Sequence, residues 1–283
     1  MIQIGLTGWG DHDSIYAADT RTHEKLQEYS SHFPVVELDS SFYAVQPIRN
    51  MEKWVKETPE NFQFIVKAYQ GMTGHDREEK ENPFETKEEM FQAFRESVEP
   101  LQKAGKLGAV LFQFPPWFDC RQEHVQYIRY CKQQMKGIPV ALEFRQQTWY
   151  EERFQQQTLD FMKQEGWIHT IADEPQAGVK SVPFVPVVTV KEKAIIRLHG
   201  RNVHGWNYSG NANWRKVRYL YEYSEKELTA IAKEVKRLEK QCKEVIVLFN
   251  NNSGGYAAGN AKQLQQMLGI EFDGLASQQL GLF

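Results

Sequence analysis

The sequence predicts an α/β fold, a single (β/α)8 barrel spanning residues 1–283. Three observations point to it. Short apolar runs recur eight times along the chain, most of them separated by stretches with helical spacing. The runs are continuous rather than alternating, which is how strands buried on both faces read. Five of them end on polar or charged residues: Val35–Asp39, Val110–Gln113, Val140–Arg145, Ile195–His199 and Ile246–Asn250. In a closed parallel barrel the strand ends form the rim where sites are built, so these run-ends locate the chemistry before identifying it.

Strands are expected at 2–7, 35–39, 62–67, 108–113, 138–143, 167–172, 194–199 and 244–249. Thr86 and Glu89 have the spacing of a capping box. Met90, Phe91, Phe94, Val98 and Leu101 then follow the period of a helix, which Pro100 is expected to bend or break. Ser224 and Glu227 form a second box ahead of Leu228, Ile231, Val235 and Leu238. Weaker helical patterns follow residues 20 and 150. After strand six, residues 174–193 carry Pro175, Pro183 and Pro186, so extended chain is expected in place of helix 6. Segments 68–85 and 200–223 are long for a compact domain and are candidate lids. An open doubly wound sheet is the competing fold, but neither G-x-G-x-x-G nor a P-loop follows the first strand.

Hydrophobic residues make up 41% of the chain and charged residues 25%, enough for a substantial core under an ordinary surface. A net charge of −3 argues against general affinity for a nucleic-acid backbone. Cys120, Cys131 and Cys242 are odd in number and widely spaced, so reduced thiols and a cytoplasmic location are expected. Ile2–Leu6 reads as a strand and not as a leader. No apolar stretch approaches the ~20 residues that span a bilayer, so no membrane partner is expected. Oligomeric state leaves no mark in the sequence.

Seven segments in order resemble one family: Gly5–Trp9, Val36–Tyr43, Phe64–Ala68, Leu111–Pro116, Ala141–Arg145 with Trp149, Arg197–Arg201, and Phe249–Asn252 with Asn260–Ala261. The chain is similar to the bacterial and archaeal proteins grouped as domain of unknown function 72. The resemblance covers nearly the whole chain. It implies a TIM-barrel fold, in agreement with the strand count, and assigns no reaction.

Side chains two apart on a strand share a face. Glu143 with Arg145, Arg197 with His199, and Glu37 with Asp39 and Ser41 are therefore expected on common faces. If Glu37, Glu143 and Arg197 point inward, the barrel mouth holds carboxylates, guanidinium groups and an imidazole in one bowl. Lys67, Gln113, Asp173 and Asn250 complete the ring. Lys67, Arg145, Arg197 and Arg201 outnumber what Glu37 and Glu143 neutralise if Asp173 serves as a turn or cap, and a cation surplus in a cavity points to an anionic ligand. The loop Asn250–Asn251–Asn252–Ser253–Gly254–Gly255 leads to a helix near Asn260, a place where this fold holds phosphate. Trp149 is one of several aromatic residues past the strand ends with a face suited to a sugar or base.

The expected protein is thus an enzyme acting on a small phosphorylated or carboxylated, sugar-like molecule. Arg145, Arg197, Arg201 and the Asn250–Gly255 loop bind the anion, with Trp149, Asp173 and Asn260 beside them. Glu143 and Glu37 serve as acid and base, His199 as a proton shuttle, and Lys67 and Gln113 orient the substrate. No cofactor is expected. The alternatives are structural ion pairs at Glu143–Arg145 and Glu37–Arg197, and a divalent metal on Glu37, Glu143, Asp173 and His199. The metal would serve a phosphodiesterase or isomerase. A glycosidase, for which the two carboxylates lie on distant strands, and a non-catalytic anion-binding protein are the remaining rivals.

Overall fold

The computed structural model describes residues 1–75, 83–207 and 217–277. Eight parallel strands close into a barrel in sequence order. They are β1 (Ile2–Thr7), β2 (Val35–Leu38), β3 (Gln63–Lys67), β4 (Leu107–Gln113), β5 (Val140–Glu143), β6 (Ile168–Asp173), β7 (Lys193–Leu198) and β8 (Glu244–Phe249). Pairing of β1 with β8, from Ile2 opposite Val245 to Leu6 opposite Phe249, closes the ring and removes any sheet edge. Each expected strand is present within a few residues of its expected bounds.

Strand alternation divides the apolar side chains between two cores. Ile4, Leu6, Val36, Phe64, Phe112, Leu142, Ile196 and Val247 face outward into the shell of helices. Val35, Ile65, Leu111, Ala141, Ile195, Ile246 and Leu248 fill the barrel itself. This is why the runs read as continuous. Two residues further along their strands, the inward positions become Glu37, Lys67, Gln113, Glu143 and Arg197. At the opposite end, Lys193 Nζ meets Glu244 Oε2 at 2.7 Å and Gln63 Oε1 at 2.9 Å, closing the floor with a compensated charge.

Helices cover the outside: Lys25–Tyr29, Ser40–Tyr43, Ile48–Glu57, Lys87–Lys103, Gln122–Gln134, Glu152–Glu165, Val203–Asn207, Glu225–Glu239 and Tyr256–Leu268. The Ser224–Glu227 capping box is complete. At Thr86 only half of the box forms: Thr86 Oγ1 accepts from Glu89 N–H, while the Glu89 carboxylate accepts from Glu85 N–H. Pro100 does not break its helix, which runs on to Lys103. Burial of Val98 and Leu101 and the bonds Ala104 N–H to Pro100 O and Lys106 N–H to Leu101 O hold that last turn. Between β6 and β7 the chain is extended, as the prolines require. Among the described residues no helix is long and apolar enough to cross a membrane.

The β1–β2 seam is tight. A Cβ on Gly5 would lie 2.0 Å from the carbonyl oxygen of Val35 on the neighbouring strand. Backbone cannot yield there without opening the barrel. Gly5→Ala should therefore cost about 2–3 kcal/mol or more, read as a lowered urea midpoint. A variant as stable as the parent would contradict this register.

Candidate active site

Arg197 occupies the centre of the mouth and is almost fully buried. Its Nε and Nη2 donate to the two oxygens of Glu37 at 2.8 and 2.6 Å, a planar fork, and its Nη1 donates to Glu143 Oε2 at 2.7 Å. One positive charge thus touches two buried carboxylates drawn from β2 and β5. It cannot neutralise both, and their titrations separate. Burial alone would raise Glu143, but Arg197 and His199 hold it well below the ordinary carboxylate range. Burial pushes Glu37 up to about 8, with Arg197 opposing.

A chain of hydrogen bonds runs from β8 and β1 to Glu143. Asn252 Nδ2 donates to Thr7 Oγ1 (2.9 Å) and Thr7 Oγ1 to Asn250 Oδ1 (2.8 Å). Asn250 Nδ2 then donates to His199 Nδ1 at 2.8 Å. Accepting at Nδ1 leaves the neutral ring its proton on Nε2, which points at Glu143 Oε1, 3.2 Å away. Gln113 Nε2 donates to the same oxygen at 2.6 Å. Burial and the neighbouring Arg197 lower His199 to about 3. The imidazole is therefore neutral at pH 7 and holds Glu143 in place. A ring titrating at about 3 does not fit the expected role of a proton shuttle near neutral pH.

Glu143 does not pair with Arg145, although they lie two apart. The strand ends at Glu143, and the Arg145 guanidinium turns to Glu174, with Nε 2.5 Å from Oε1. The angles do not make a hydrogen bond. Arg145 Nε and Nη2 and Glu174 Oε1 are all buried with no hydrogen-bond partner among the described residues. Glu174 Oε2 accepts from Val182 N–H at 3.0 Å, which fixes the carboxyl group in the extended segment after β6. Burial pushes Glu174 up to about 7, with Arg145 pulling it back. One oxygen of Glu143, one of Glu174 and a nitrogen of His199 lie within 4.8 Å of one another. Trp206 covers the group, its ring 4.7 Å from the Arg145 guanidinium and 3.8 Å from that of Arg218.

Other expected site residues lie elsewhere. Trp149 is buried, stacked on Phe144 at 4.0 Å, with its Nε1–H donating to Phe118 O, so neither face is open to a ligand. Arg201 forks onto Asp173 and reaches Glu227, while Tyr223 OH donates to Asp173. Asp173 is neither a turn nor a cap. Asn260 does not cap the last helix, which begins at Tyr256; it is buried and binds both backbone groups of Tyr223 and the Asn251 side chain. Asn251 and Asn252 donate through Nδ2 to Tyr221 O and Thr7 O, while their Oδ1 atoms are buried without a hydrogen-bond partner among the described residues, and Gly254 sits under Leu220 and Tyr256. Lys67 pairs with Asp39 at 3.5 Å and lies over the Phe42 ring. The cation surplus is thus absent: Asp39, Glu174 and Glu227 supply carboxylates the sequence reading left out. Glu174 lies just past β6, in the extended segment where strand alternation gives no signal. Arg218 has no sequence signal. The candidate lid at 200–223 lies partly outside the described residues, as does that at 68–85.

Residues 3–281 match the family described as "Protein of unknown function DUF72". The chain belongs to the DUF72 family. It is 61% identical to UPF0759 protein YunF of Bacillus subtilis (strain 168) over 284 residues, covering 100% of both proteins. A DUF72 crystal structure from Enterococcus faecalis V583 matches with TM-score 0.92 and 41% identity, over 99% of this chain and 100% of that one. Another, from Thermotoga maritima MSB8, matches with TM-score 0.80 and 29% identity, over 95% and 100%. This DUF72 barrel therefore carries its family's fold from end to end.

Removing one member of a buried charge group leaves the others uncompensated, which costs about 3–5 kcal/mol. Arg197→Met should lower the unfolding free energy by that amount in denaturant titrations. Glu37→Gln should cost less, because burial already favours its neutral form. Equal losses in the two variants would contradict the separated titrations.

Proposed function

We propose that this DUF72 protein is an enzyme that holds a small anionic molecule on Arg145 and moves a proton with Glu143 and Glu174. The observation that carries this reading is the buried Arg145, whose Nε and Nη2 make no hydrogen bond among the described residues although Nε is ion-paired with Glu174. Leaving such donors unmet costs about 1–3 kcal/mol each, and more when the group is charged. An anion removes that cost. Arg218, on the same Trp206 ring, adds positive potential. Beside them stand two carboxyl groups whose surroundings push their titrations apart, Glu143 downward and Glu174 up to about 7. Such a pair supplies one base and one acid at the same pH. Glu37, with both oxygens on Arg197, is support for Glu143 and not the second proton carrier.

A second reading has one observation in its favour. Glu143, Glu174 and His199 offer three ligand atoms within 4.8 Å of one another, the right donors for a divalent cation. The residues fit poorly, because the Arg145 guanidinium already lies 2.5 Å from one oxygen of the Glu174 carboxyl group. Like charge opposes a metal there.

A thermal-shift screen with carboxylated and phosphorylated metabolites and with Mg2+, Mn2+ and Zn2+ separates the two. An anion at ~100 times its dissociation constant should add about 2.7 kcal/mol of stability to the parent and none to Arg145→Met. Stabilisation by a metal that is lost in Glu174→Gln would replace this reading with the metal site.

The pH dependence has a definite sign. Glu174 is the acid only while protonated, so turnover should fall as pH rises through about 7. Glu143, held low, stays ionised across the same range and sets no limb there. A rate rising steadily from pH 6 to 9 would exclude Glu174 as the acid.

A further inference from the structure

We infer that the anion held by Arg145 is a carboxylate and that the proton moved is the one on the carbon next to it. This deepens, and rests on, the reading of Arg145, Glu143 and Glu174 above.

The molecule carries its own standards for what this arginine should hold. Arg197 grips Glu37 through Nε and Nη2, at 2.8 and 2.6 Å. Arg201 grips Asp173 through the same two nitrogens, at 2.9 and 2.8 Å. Those are the two donors that Arg145 leaves without a hydrogen-bond acceptor among the described residues. The pair lies on one edge of the planar guanidinium and matches the two oxygens of a carboxylate. Twice in this mouth it is filled by a carboxylate from the chain. At Arg145 the nearest one, Glu174, comes close to Nε without the angle of a hydrogen bond.

Distance then selects the reacting atom. Glu174 Oε1 lies 2.5 Å from Arg145 Nε, and one oxygen of the same carboxyl group shares a 4.8 Å cluster with Glu143 and His199. The proton-carrying groups therefore sit directly beside the ligand's anionic end. In a carboxylic acid the first atom past that end is the α-carbon, about 1.5 Å from the carboxyl carbon. A phosphate ester would put an oxygen there and its first carbon one bond further out.

The step balances without any co-reactant. Glu143 takes the α-hydrogen as a proton, and the C–H electron pair becomes a carbon–carbon double bond to the carboxyl carbon. The displaced carboxyl electrons rest on oxygens held by Arg145, with the Arg218 guanidinium nearby. Protonated Glu174 returns a proton to the same carbon. Delivery to the opposite face inverts the centre; delivery to the same face restores it. Either way, solvent hydrogen enters the α-position. Ionised Glu143 as base and proton-bearing Glu174 as acid fit the directions in which their surroundings push them.

The test follows deuterium by proton NMR. The full-length protein is incubated in D2O with D-gluconate, D-glucuronate or L-malate, with glycerol 3-phosphate as the phosphate control, after melting curves with each. At least one carboxylate should raise the melting temperature of the parent but not of Arg145→Met, and should lose its α-proton signal. Glu174→Gln should keep the melting shift and slow the exchange about 100-fold or more. A carboxylate that binds through Arg145 and shows no exchange in a day would overturn the inference and leave the anion site standing. Arg145-dependent stabilisation by the phosphate alone would overturn it as well. If no anion shifts the melting curve of the parent, the anion-site reading fails together with the inference.

Discussion

One guanidinium shared by two carboxylates organises the mouth of this barrel. Arg197 projects from β7 and is met by Glu37 from β2 and Glu143 from β5, so it ties three strands that do not neighbour one another. Ladder hydrogen bonds connect only adjacent strands. A buried ion pair across the lumen therefore constrains what the ladder cannot, the cross-section of the barrel at its rim. Replacing such a group with apolar residues of similar volume often costs nothing, so stability alone does not account for it. Its distinctive effect is electrostatic. A single positive charge between two buried acids cannot satisfy both, and the chain resolves this by holding Glu143 ionised while burial favours a proton on Glu37.

Everything around Glu143 then acts to keep that ionised group in one position. The Asn252–Thr7–Asn250–His199 chain sets the histidine tautomer from the far side, and Gln113 completes the donors. These residues come from β1, β4, the position just past β7 and the loop after β8, on or next to the closed ladder. Arg145 and Glu174 come from the segments just past β5 and β6, and their cover is the Trp206 ring. The site thus joins a rigid inner layer to an outer layer carried by loops, the division on which barrels of this kind vary their chemistry.

How much of this was legible in the sequence follows from what periodicity can encode. Strand alternation brought Glu37, Gln113, Glu143 and Arg197 to one face because the rule that points Val35, Leu111, Ala141 and Ile195 inward holds for the residue two further on. That rule ends with the strand. Arg145 lies beyond β5, and its predicted partner Glu143 was displaced by Glu174 from a segment without any repeat. Trp149 by its ring, and Asn260 by its place after the Asn250–Gly255 loop, suit a ligand. Their type serves equally well to stack on Phe144 or to tie the Tyr221–Tyr223 chain to the last helix, and no pattern in the sequence distinguishes those uses. The cation surplus failed for a similar reason. Glu37 and Glu143 alone were weighed against four cations, while Asp39, Asp173, Glu174 and Glu227 supply the balance.

The loss of that surplus changes the physical basis of recognition. With Lys67 on Asp39, Arg197 on Glu37 and Glu143, and Arg201 on Asp173 and Glu227, most of the positive charge at the mouth is already matched. Net potential would attract any anion weakly and choose none. What distinguishes Arg145 is unmet geometry: two coplanar donors, buried, beside the Trp206 ring and without a hydrogen bond among the described residues. Burial makes the unmet donors costly, and coplanarity restricts which acceptors relieve that cost. Arg197 and Arg145 are the same residue type within one ring of strands, yet the fold engages every nitrogen of one fork and leaves two of the other without a hydrogen bond among the described residues. The difference lies in how many acceptors the fold provides to each.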